Sequence, residues 1–140
     1  MMVSQDYVQK RAKKDSIELS LPINAAYVSA ARLTASTIAN RMRFDTDEIE
    51  DVKAAVSEAC AYIISRARRS DNEMFKIVFD VSGGILSVKL LFHPARALDK
   101  SREDMGLIMM KALTDGVEIR SASEKTAVLE ITKVHKHRIF

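Results

Sequence analysis

The longest helical pattern in the sequence, "FDTDEIEDVKAAVSEACAYIISRARR" (residues 44–69), carries apolar residues on two sides. One stripe is formed by Ile49, Val52, Val56, Cys60, Ile63 and Ala67, and a second, roughly opposite, by Ala54, Ala55, Glu58, Ala61 and Tyr62. Asp45 precedes Glu48 by three residues, a variant of the capping box that begins a helix. Because both apolar sides need cover, this segment predicts a central helix sandwiched between other elements.

Five other segments alternate apolar and polar residues, as half-buried strands do. They cover residues 16–22, 73–81, 85–92, 117–122 and 126–134. Pro22 closes the first of them. The pair Gly83-Gly84, between the second and the third, supplies the positive φ that a tight turn requires, so these two strands are predicted to form a hairpin.

Two further segments show helical spacing. The first begins at Asn24, a good N-cap residue, and ends near Arg43. The second covers residues 101–116, with Ser101 as its cap and Asp104 at the capping-box position. The order β-α-α-β-β-α-β-β predicts an α+β two-layer sandwich, in which a mixed, mostly antiparallel sheet carries about three helices on one face.

Length and composition indicate one globular domain, since the 140 residues are 47% apolar and 29% charged. We predict a flexible N-terminal segment over residues 1–15, a single domain over 16–134 and a basic C-terminal tail over 135–140. No apolar run approaches the ~20 residues of a membrane helix, and the first residues lack the apolar core of a secretory signal. The single cysteine, Cys60, excludes an internal disulfide. A cytoplasmic location without a membrane partner is expected.

Basic residues gather in two places, "KRAKK" (residues 10–14) and "RARR" (residues 66–69). The net charge of +3 permits nucleic-acid binding without indicating it, and no aromatic residue is interleaved with Arg66, Arg68 and Arg69. A basic nucleic-acid-binding module is therefore the third-ranked interpretation. His135 and His137 lie two residues apart, but without a third ligand they predict no metal site.

Glu58 is an isolated carboxylate within the central helical pattern. The positions three and four residues away are Ala54, Ala55, Ala61 and Tyr62, none of which can neutralise it. An unpaired charge on an apolar surface is unfavourable unless that surface lines a cavity or a hydrogen bond arrives from elsewhere. Glu58 is thus either a candidate general base or a structural carboxylate held by another element.

Three stretches, "AYVSAARLTASTIANRM", "DEIEDVKAAVSEAC" and "MGLIMMKALTDGVEI", closely resemble the anti-sigma-factor serine kinases of the RsbW type. The resemblance runs from about Ser16 to Lys133. These kinases are GHKL ATPases, whose fold layers helices on a mixed sheet. The resemblance implies a bacterial regulator that captures a sigma factor, is countered by an antagonist protein bearing the target serine, and forms homodimers. It places Arg32 at the partner-binding surface.

The same resemblance matches Glu58 to the family's catalytic base, which activates the serine of the partner. Tyr62 stands where an asparagine holds magnesium, and a neutral, bulky phenol is a poor ligand for that metal. Phe92 and Pro94 stand where the family has an aspartate and a glycine that bind adenine. Phenylalanine accepts no hydrogen bond from the adenine amino group, and proline lacks a backbone N–H.

The family's glycine-rich phosphate loop retains only Gly106, with Glu103 and Asp104 at its first two glycine positions. Carboxylates at a helix N-terminus repel a triphosphate, and each like-charge pair ~4 Å apart costs on the order of 1 to 4 kcal/mol. We therefore predict a regulator that binds a sigma factor or antagonist protein, with nucleotide binding and kinase activity lost or feeble and no cofactor. The alternative, an active kinase that uses ATP and magnesium, is supported by Glu58 and Gly106.

Overall fold

The computed structural model describes residues 15–70, 72–98 and 104–136. Five strands are present in these residues: β1 (Asp15–Pro22), β2 (Met74–Ser82), β3 (Ile85–Phe92), β4 (Gly116–Ser121) and β5 (Ala127–Val134). The three α-helices are α1 (Val28–Arg41), α2 (Thr46–Arg66) and α3 (Met105–Leu113). None of the helices in the described residues is long and apolar enough to cross a membrane. The element order predicted from the sequence is confirmed.

The five strands form one sheet in the order β1-β2-β3-β5-β4, and every neighbouring pair is antiparallel. β5 lies between β3 and β4 and is antiparallel to both, so β3 and β4 are parallel to each other. The connection from β3 to β4 through α3 therefore passes over one strand, β5. Gly83 and Gly84 have φ values of 57° and 79° and form the predicted two-residue turn between β2 and β3. The local turn chemistry therefore sets the hairpin register.

The core lies between one face of the sheet and the helix layer. Alternate residues of the two central hairpin strands point toward the helices and are at most 2% exposed: Phe75, Ile77, Phe79, Leu86, Val88, Leu90 and Phe92. α2 packs against α1, α3, β3 and β5, as its two apolar sides predicted. In its second stripe Ala55 and Tyr62 are buried, whereas Ala54 and Ala61 are exposed.

The opposite face of the sheet is polar, which is why the fold has two layers. Glu130 on β5 accepts hydrogen bonds from Ser87 Oγ at 2.8 Å and from Arg120 Nη1 at 2.9 Å. Lys89 Nζ lies 3.7 Å from the Asp80 carboxylate on the neighbouring strand. Charged cross-strand pairs of this kind suit a face that contacts water.

The structure corrects the predicted end of α2 and the predicted start of α1. α2 ends at Arg66 and not at Arg69, because Ala67 adopts an extended backbone (φ −71°, ψ 149°) and forms an isolated β-bridge with Pro94. Asn24 caps a short 3₁₀ helix (Ala25–Tyr27) that precedes α1. The predicted capping box of α2 is confirmed, since the Asp45 and Glu48 side chains each accept the other residue's backbone N–H.

The prediction for α3 was wrong at both ends. Asp104 is itself the N-cap, with Oδ1 accepting the Leu107 N–H at 2.8 Å, and so does not occupy the third position of a capping box. The predicted cap, Ser101, lies outside the described residues. The helix ends at Leu113 because the chain turns extended at Thr114, and Gly116 begins β4.

The two residues that follow β5 contact the junction between α1 and α2. The His135 backbone N–H donates to the Gly84 carbonyl and His135 Nε2 donates to the Arg43 carbonyl, each at 2.8 Å. The Lys136 N–H donates to Glu48 Oε2 at 3.0 Å. This part of the predicted C-terminal tail therefore connects the β2–β3 turn to the start of α2; the remainder, including His137, lies outside the described residues.

Candidate functional site

A cleft of about 880 Å³ opens where the C-terminal end of α2 meets the segment after β3 and the start of α3. Among the described residues its lining is formed by Tyr62, Ser65, Arg66, Ala67, Arg69, Ala95, Arg96, Ala97, Leu98 and Asp104. Two backbone hydrogen bonds hold the segment after β3 against the helix end, from Arg68 N to the His93 carbonyl at 2.7 Å and from Ala95 N to the Arg66 carbonyl at 2.9 Å. The cleft walls are thus fixed by backbone as well as side-chain contacts.

The Tyr62 ring lies in the cleft wall with only 8% of the residue exposed. The guanidinium carbon of Arg66, one helical turn later, lies 3.8 Å from the ring centroid, in a cation–π arrangement. Burial raises the pKa of the Tyr62 phenol, the Arg66 charge lowers it and the Asp104 charge raises it, and the net pKa lies above the ordinary value. The phenol is therefore neutral near pH 7.

Asp104 has both carboxylate oxygens engaged by the chain itself. Oδ1 caps α3, and Oδ2 forms an ion pair with Arg66 Nη2. The other terminal nitrogen of Arg66 donates to Ser65 Oγ at 2.9 Å. Tyr62, Ser65 and Asp104 thus hold the Arg66 guanidinium from three directions. Magnesium would meet a neutral phenol and a carboxylate already paired with arginine, and this donor set does not fit the metal.

Glu58 is half-buried and lies close to Gly106. A Cβ placed on Gly106 would be 3.5 Å from Glu58 Oε2 and 3.4 Å from Asp104 Oδ1. Within the part of the chain that the structure describes, the Glu58 side chain makes no hydrogen bond or ion pair. The structure thus brings together four of the predicted site residues, Glu58, Tyr62, Asp104 and Gly106.

The other predicted site residues are placed differently. Phe92 is 1% exposed on the helix-facing side of β3 and belongs to the core, whereas Pro94 is half-buried in the bridge with Ala67. Arg32 is exposed on α1, beside Leu33, which is 66% exposed. Glu103 lies outside the described residues.

The sequence predicted a role for Arg66 only in the third-ranked nucleic-acid-binding interpretation and none for Arg96, although both line the cleft. The contact between Tyr62 and Arg66 was predictable from the sequence, because residues four apart lie on the same face of a helix. The ion pair between Arg66 and Asp104 joins residues 38 positions apart. It had no local signal, so only the tertiary structure reveals it.

Comparisons with known proteins identify the class. Residues 21–133 match the family model of the histidine kinase-like ATPase domain. A serine-protein kinase RsbW of Oceanobacillus iheyensis is 34% identical, over an alignment that covers 76% of this chain and 80% of the relative. The chain therefore belongs to the histidine kinase-like ATPases and, within them, to the anti-sigma-factor serine kinase family of the RsbW type.

A serine-protein kinase RsbW of Bacillus thuringiensis is 46% identical over a shorter stretch, which covers 46% of this chain and 41% of that protein. Two solved structures share the fold. The RsbU and RsbW domains of Rv1364c from Mycobacterium tuberculosis superpose with a TM-score of 0.67 at 15% identity, over 86% of this chain and 32% of that one. The SiaB-SiaC complex from Pseudomonas aeruginosa gives a TM-score of 0.69 at 13% identity, over 91% of this chain and 94% of that one. At these identities the likeness establishes the fold alone.

Proposed function

We propose that this protein is an anti-sigma-type regulator that acts by binding a sigma factor or an antagonist protein, with ATP binding and serine kinase activity lost or feeble. The observation that carries the proposal is the arrangement of Tyr62, Arg66 and Asp104. By family resemblance, Tyr62 occupies the magnesium-ligand position and Asp104 a glycine position of the phosphate loop. Protein binding is supported by the neighbour from Pseudomonas aeruginosa, which was solved in complex with SiaC.

The arrangement opposes a magnesium-bound triphosphate in two ways. A triphosphate at the start of α3 would have to displace the Asp104 carboxylate, which would break both its ion pair with Arg66 and its cap on the Leu107 N–H. It would also find a neutral phenol in place of a compact amide oxygen. These obstacles act at the two groups on which phosphoryl transfer depends, the metal and the phosphates.

Calorimetric titration with magnesium plus ATP or ADP tests the loss of nucleotide binding. We expect no saturable heat up to concentrations of about 1 mM, where a working site of this kind would bind in the micromolar range. The variants Tyr62→Asn and Asp104→Gly, separately and together, restore the residue types that the family resemblance expects. Micromolar binding by the unmodified protein would overturn the proposal.

A second candidate function, an active ATP-dependent serine kinase, is favoured by one observation. Glu58 is half-buried beside Gly106 and has no partner among the described residues, as a general base awaiting a substrate hydroxyl would be. Transfer of labelled phosphate from ATP to an antagonist protein, abolished by Glu58→Gln, would establish this function. No transfer by either protein supports the binding role.

Arg32 is the residue that we propose for partner binding. It is exposed on α1 and adjoins Leu33, which is 66% exposed; Tyr27, just before the helix, is 48% exposed. Arg32→Glu should weaken capture of the sigma factor or antagonist while leaving the melting temperature unchanged, because the side chain makes no hydrogen bond or ion pair within the described chain. Arg41→Glu, the same charge change at the exposed end of α1, is the matched control. Equal capture by both variants would count against this surface.

A homodimer is the remaining element of the proposal, and it rests on family resemblance. Sedimentation equilibrium over a range of protein concentrations measures it directly. We expect a mass of about twice 15.7 kDa. A monomer at all concentrations would refute this element and leave the partner-binding proposal standing.

A further inference from the structure

The turn between α1 and α2 contains an unfavourable backbone conformation. Arg43 has a φ of 62°, in the left-handed region that favours glycine at the end of a helix. Its N–H donates to the Asn40 carbonyl at 3.0 Å, and the Phe44 N–H donates to the Ala39 carbonyl at 3.1 Å. Because Arg43 has a Cβ, this conformation is strained and persists only where the surrounding structure holds it.

The C-terminal strap, which we define as His135 and Lys136, contacts this turn. His135 Nε2 donates to the Arg43 carbonyl at 2.8 Å, and the centroid of its ring lies 5.1 Å from that of Phe44. The His135 N–H donates to the Gly84 carbonyl at 2.8 Å. The strap therefore connects the strained residue to the turn between β2 and β3.

Lys136 contributes to the strap through its backbone. Its N–H donates to Glu48 Oε2 at 3.0 Å, and Glu48 is completely buried. The other oxygen, Oε1, accepts the Asp45 N–H. Within the part of the chain that the structure describes, Oε2 accepts no second hydrogen bond. Loss of the Lys136 N–H would leave a buried carboxylate oxygen without a donor, which is unfavourable.

The side chains of α1 anchor the helix only lightly. Its buried residues are three alanines, Ala31, Ala35 and Ala39, and one large residue, Ile38. Alanine buries little apolar area, and the stabilisation from burial is roughly proportional to that area. The position of α1 therefore depends strongly on the turn that joins it to α2.

We propose that the C-terminal strap controls the position of α1. With the strap in place, Arg43 keeps its left-handed conformation and the turn fixes α1 against α2. When the strap is withdrawn, the backbone at Arg43 relaxes and α1 shifts, carrying Arg32 and Leu33 with it. A molecule that binds one position of α1 is thereby coupled to the strap. The inference goes beyond the proposed function, because it concerns the position of α1 and not what α1 binds.

Hydrogen exchange of the full chain tests each contact of the strap. His135→Phe retains a ring beside Phe44 but removes the Nε2 donor, and it should speed exchange of the amides of residues 42–48 by about ten-fold. His135→Gln retains a donor and should speed exchange much less. Lys136→Pro removes the N–H that Glu48 accepts, whereas Lys136→Ala keeps it, so only the proline variant should speed exchange.

Arg43→Gly is the rescue variant. Glycine adopts the left-handed conformation without a steric penalty, so adding Arg43→Gly to His135→Phe should return exchange of residues 42–48 to within about two-fold of the unmodified protein. Arg41→Gly in the same background is the matched control, because it removes the same exposed side chain from a position inside α1. Equal rescue by the two substitutions would overturn the role of Arg43 as the hinge.

Pulsed electron paramagnetic resonance measures the position of α1. Nitroxides are placed at two exposed positions, on α1 through Leu33→Cys and on α2 through Ala61→Cys, in a Cys60→Ala background. His135→Phe should shift or broaden the distance distribution by about 2 Å or more, and Arg43→Gly should reverse that change.

Two outcomes separate control of α1 from a purely structural contact. An unchanged distance distribution in His135→Phe would overturn the inference. Exchange that accelerates as much in residues 86–90 of β3 as in residues 42–48 would also overturn it, because a contact that only stabilises the whole fold affects all of its amides alike.

Discussion

Two side chains one helical turn apart, Tyr62 and Arg66, both line the cleft, and their contact changes the chemistry available there. The ring provides a face for the guanidinium, and the guanidinium in turn neutralises Asp104. Exposed ion pairs contribute only about 0 to 1 kcal/mol, and both partners here are about one third exposed, at 37% and 32%. The contact therefore matters more for what the cleft can bind than for stability.

The pKa of Tyr62 reports on this arrangement. Asp104→Asn should lower the pKa, because it removes a negative charge that disfavours the phenolate, whereas Arg66→Ala should raise it by removing a positive one. Since the pKa in the folded state is already raised, the phenol's contribution to stability is complete below its unfolded pKa of about 10 and is lost as the pH rises further. Tyrosinate absorbance in a background of Tyr7→Phe and Tyr27→Phe measures the shifts. Shifts of the same sign in both variants would contradict the assignment.

Cys60 should be unreactive in the folded protein. The residue is completely buried, and burial raises the pKa of its thiol from 9.0 to about 12. The thiolate fraction near pH 8 is then lower by about a thousandfold, so a disulfide reagent should react only when the protein unfolds. The rate at which a chromogenic disulfide reagent releases its coloured thiolate, in buffer and in denaturant, measures the reactivity of Cys60. Rapid reaction in buffer would show that the site around Cys60 opens.

At the scale of elements, the helix ends determine where the site residues lie. The start of α2 is held by its capping box, and the completely buried Glu48 also accepts the Lys136 N–H through its second oxygen. The end of α2 is held by the Ala67–Pro94 bridge. With both ends fixed, the 21 residues of the helix carry Glu58, Tyr62 and Arg66 in one register relative to α3.

The cap of α2 provides the prediction at this scale. Asp45→Ala should reduce the free energy of unfolding by about 1 kcal/mol, because it leaves the Glu48 backbone N–H without its acceptor. Asp45→Asn retains an acceptor oxygen and should reduce the free energy of unfolding by only a few tenths of 1 kcal/mol, that is, by about 0.3 kcal/mol. Urea unfolding followed by circular dichroism measures the difference. Equal losses in the two variants would mean that charge, and not the hydrogen bond, provides the stabilisation.

Across the whole molecule, one lysine connects the sheet to two helices. Lys133 on β5 is 5% exposed and points to the helix side of the sheet. Its Nζ donates to the Leu113 carbonyl at the end of α3 at 2.9 Å and lies 3.4 Å from Asp51 Oδ2 on α2. The Leu113 carbonyl belongs to the last helical turn, which lacks intrahelical partners. Lys133 therefore satisfies a helix end from another layer of the fold.

Lys133→Met should lower the free energy of unfolding by about 1 to 3 kcal/mol, because it leaves the partly buried Leu113 carbonyl without its donor. Asp51→Asn should lose less than about 1 kcal/mol, since the Asp51 side chain is 36% exposed. Chemical denaturation of both variants and of the double variant measures the two contributions. A larger loss for Asp51→Asn would mean that the ion pair dominates the contact.

The sequence by itself determined the features that depend on neighbouring residues. Apolar periodicity predicted the element order, Gly83-Gly84 predicted the hairpin, and Asp45 with Glu48 predicted the start of α2. Each follows from backbone conformation or from contacts within one helical turn. The family was also identifiable, because the three stretches that carry the resemblance are distributed along the chain, at residues 26–42, 47–60 and 105–119.

The tertiary structure alone decided the strand order, the end of α2 at Arg66, the role of Asp104 as cap and ion-pair partner, and the burial of Phe92. These depend on contacts between residues far apart in the chain, such as the 38 positions between Arg66 and Asp104. Residue type and spacing predict which side chains could form such contacts. Which of these contacts form depends on how the helices pack on the sheet. That packing brings the end of α2, the segment after β3 and the N-cap of α3 to one cleft.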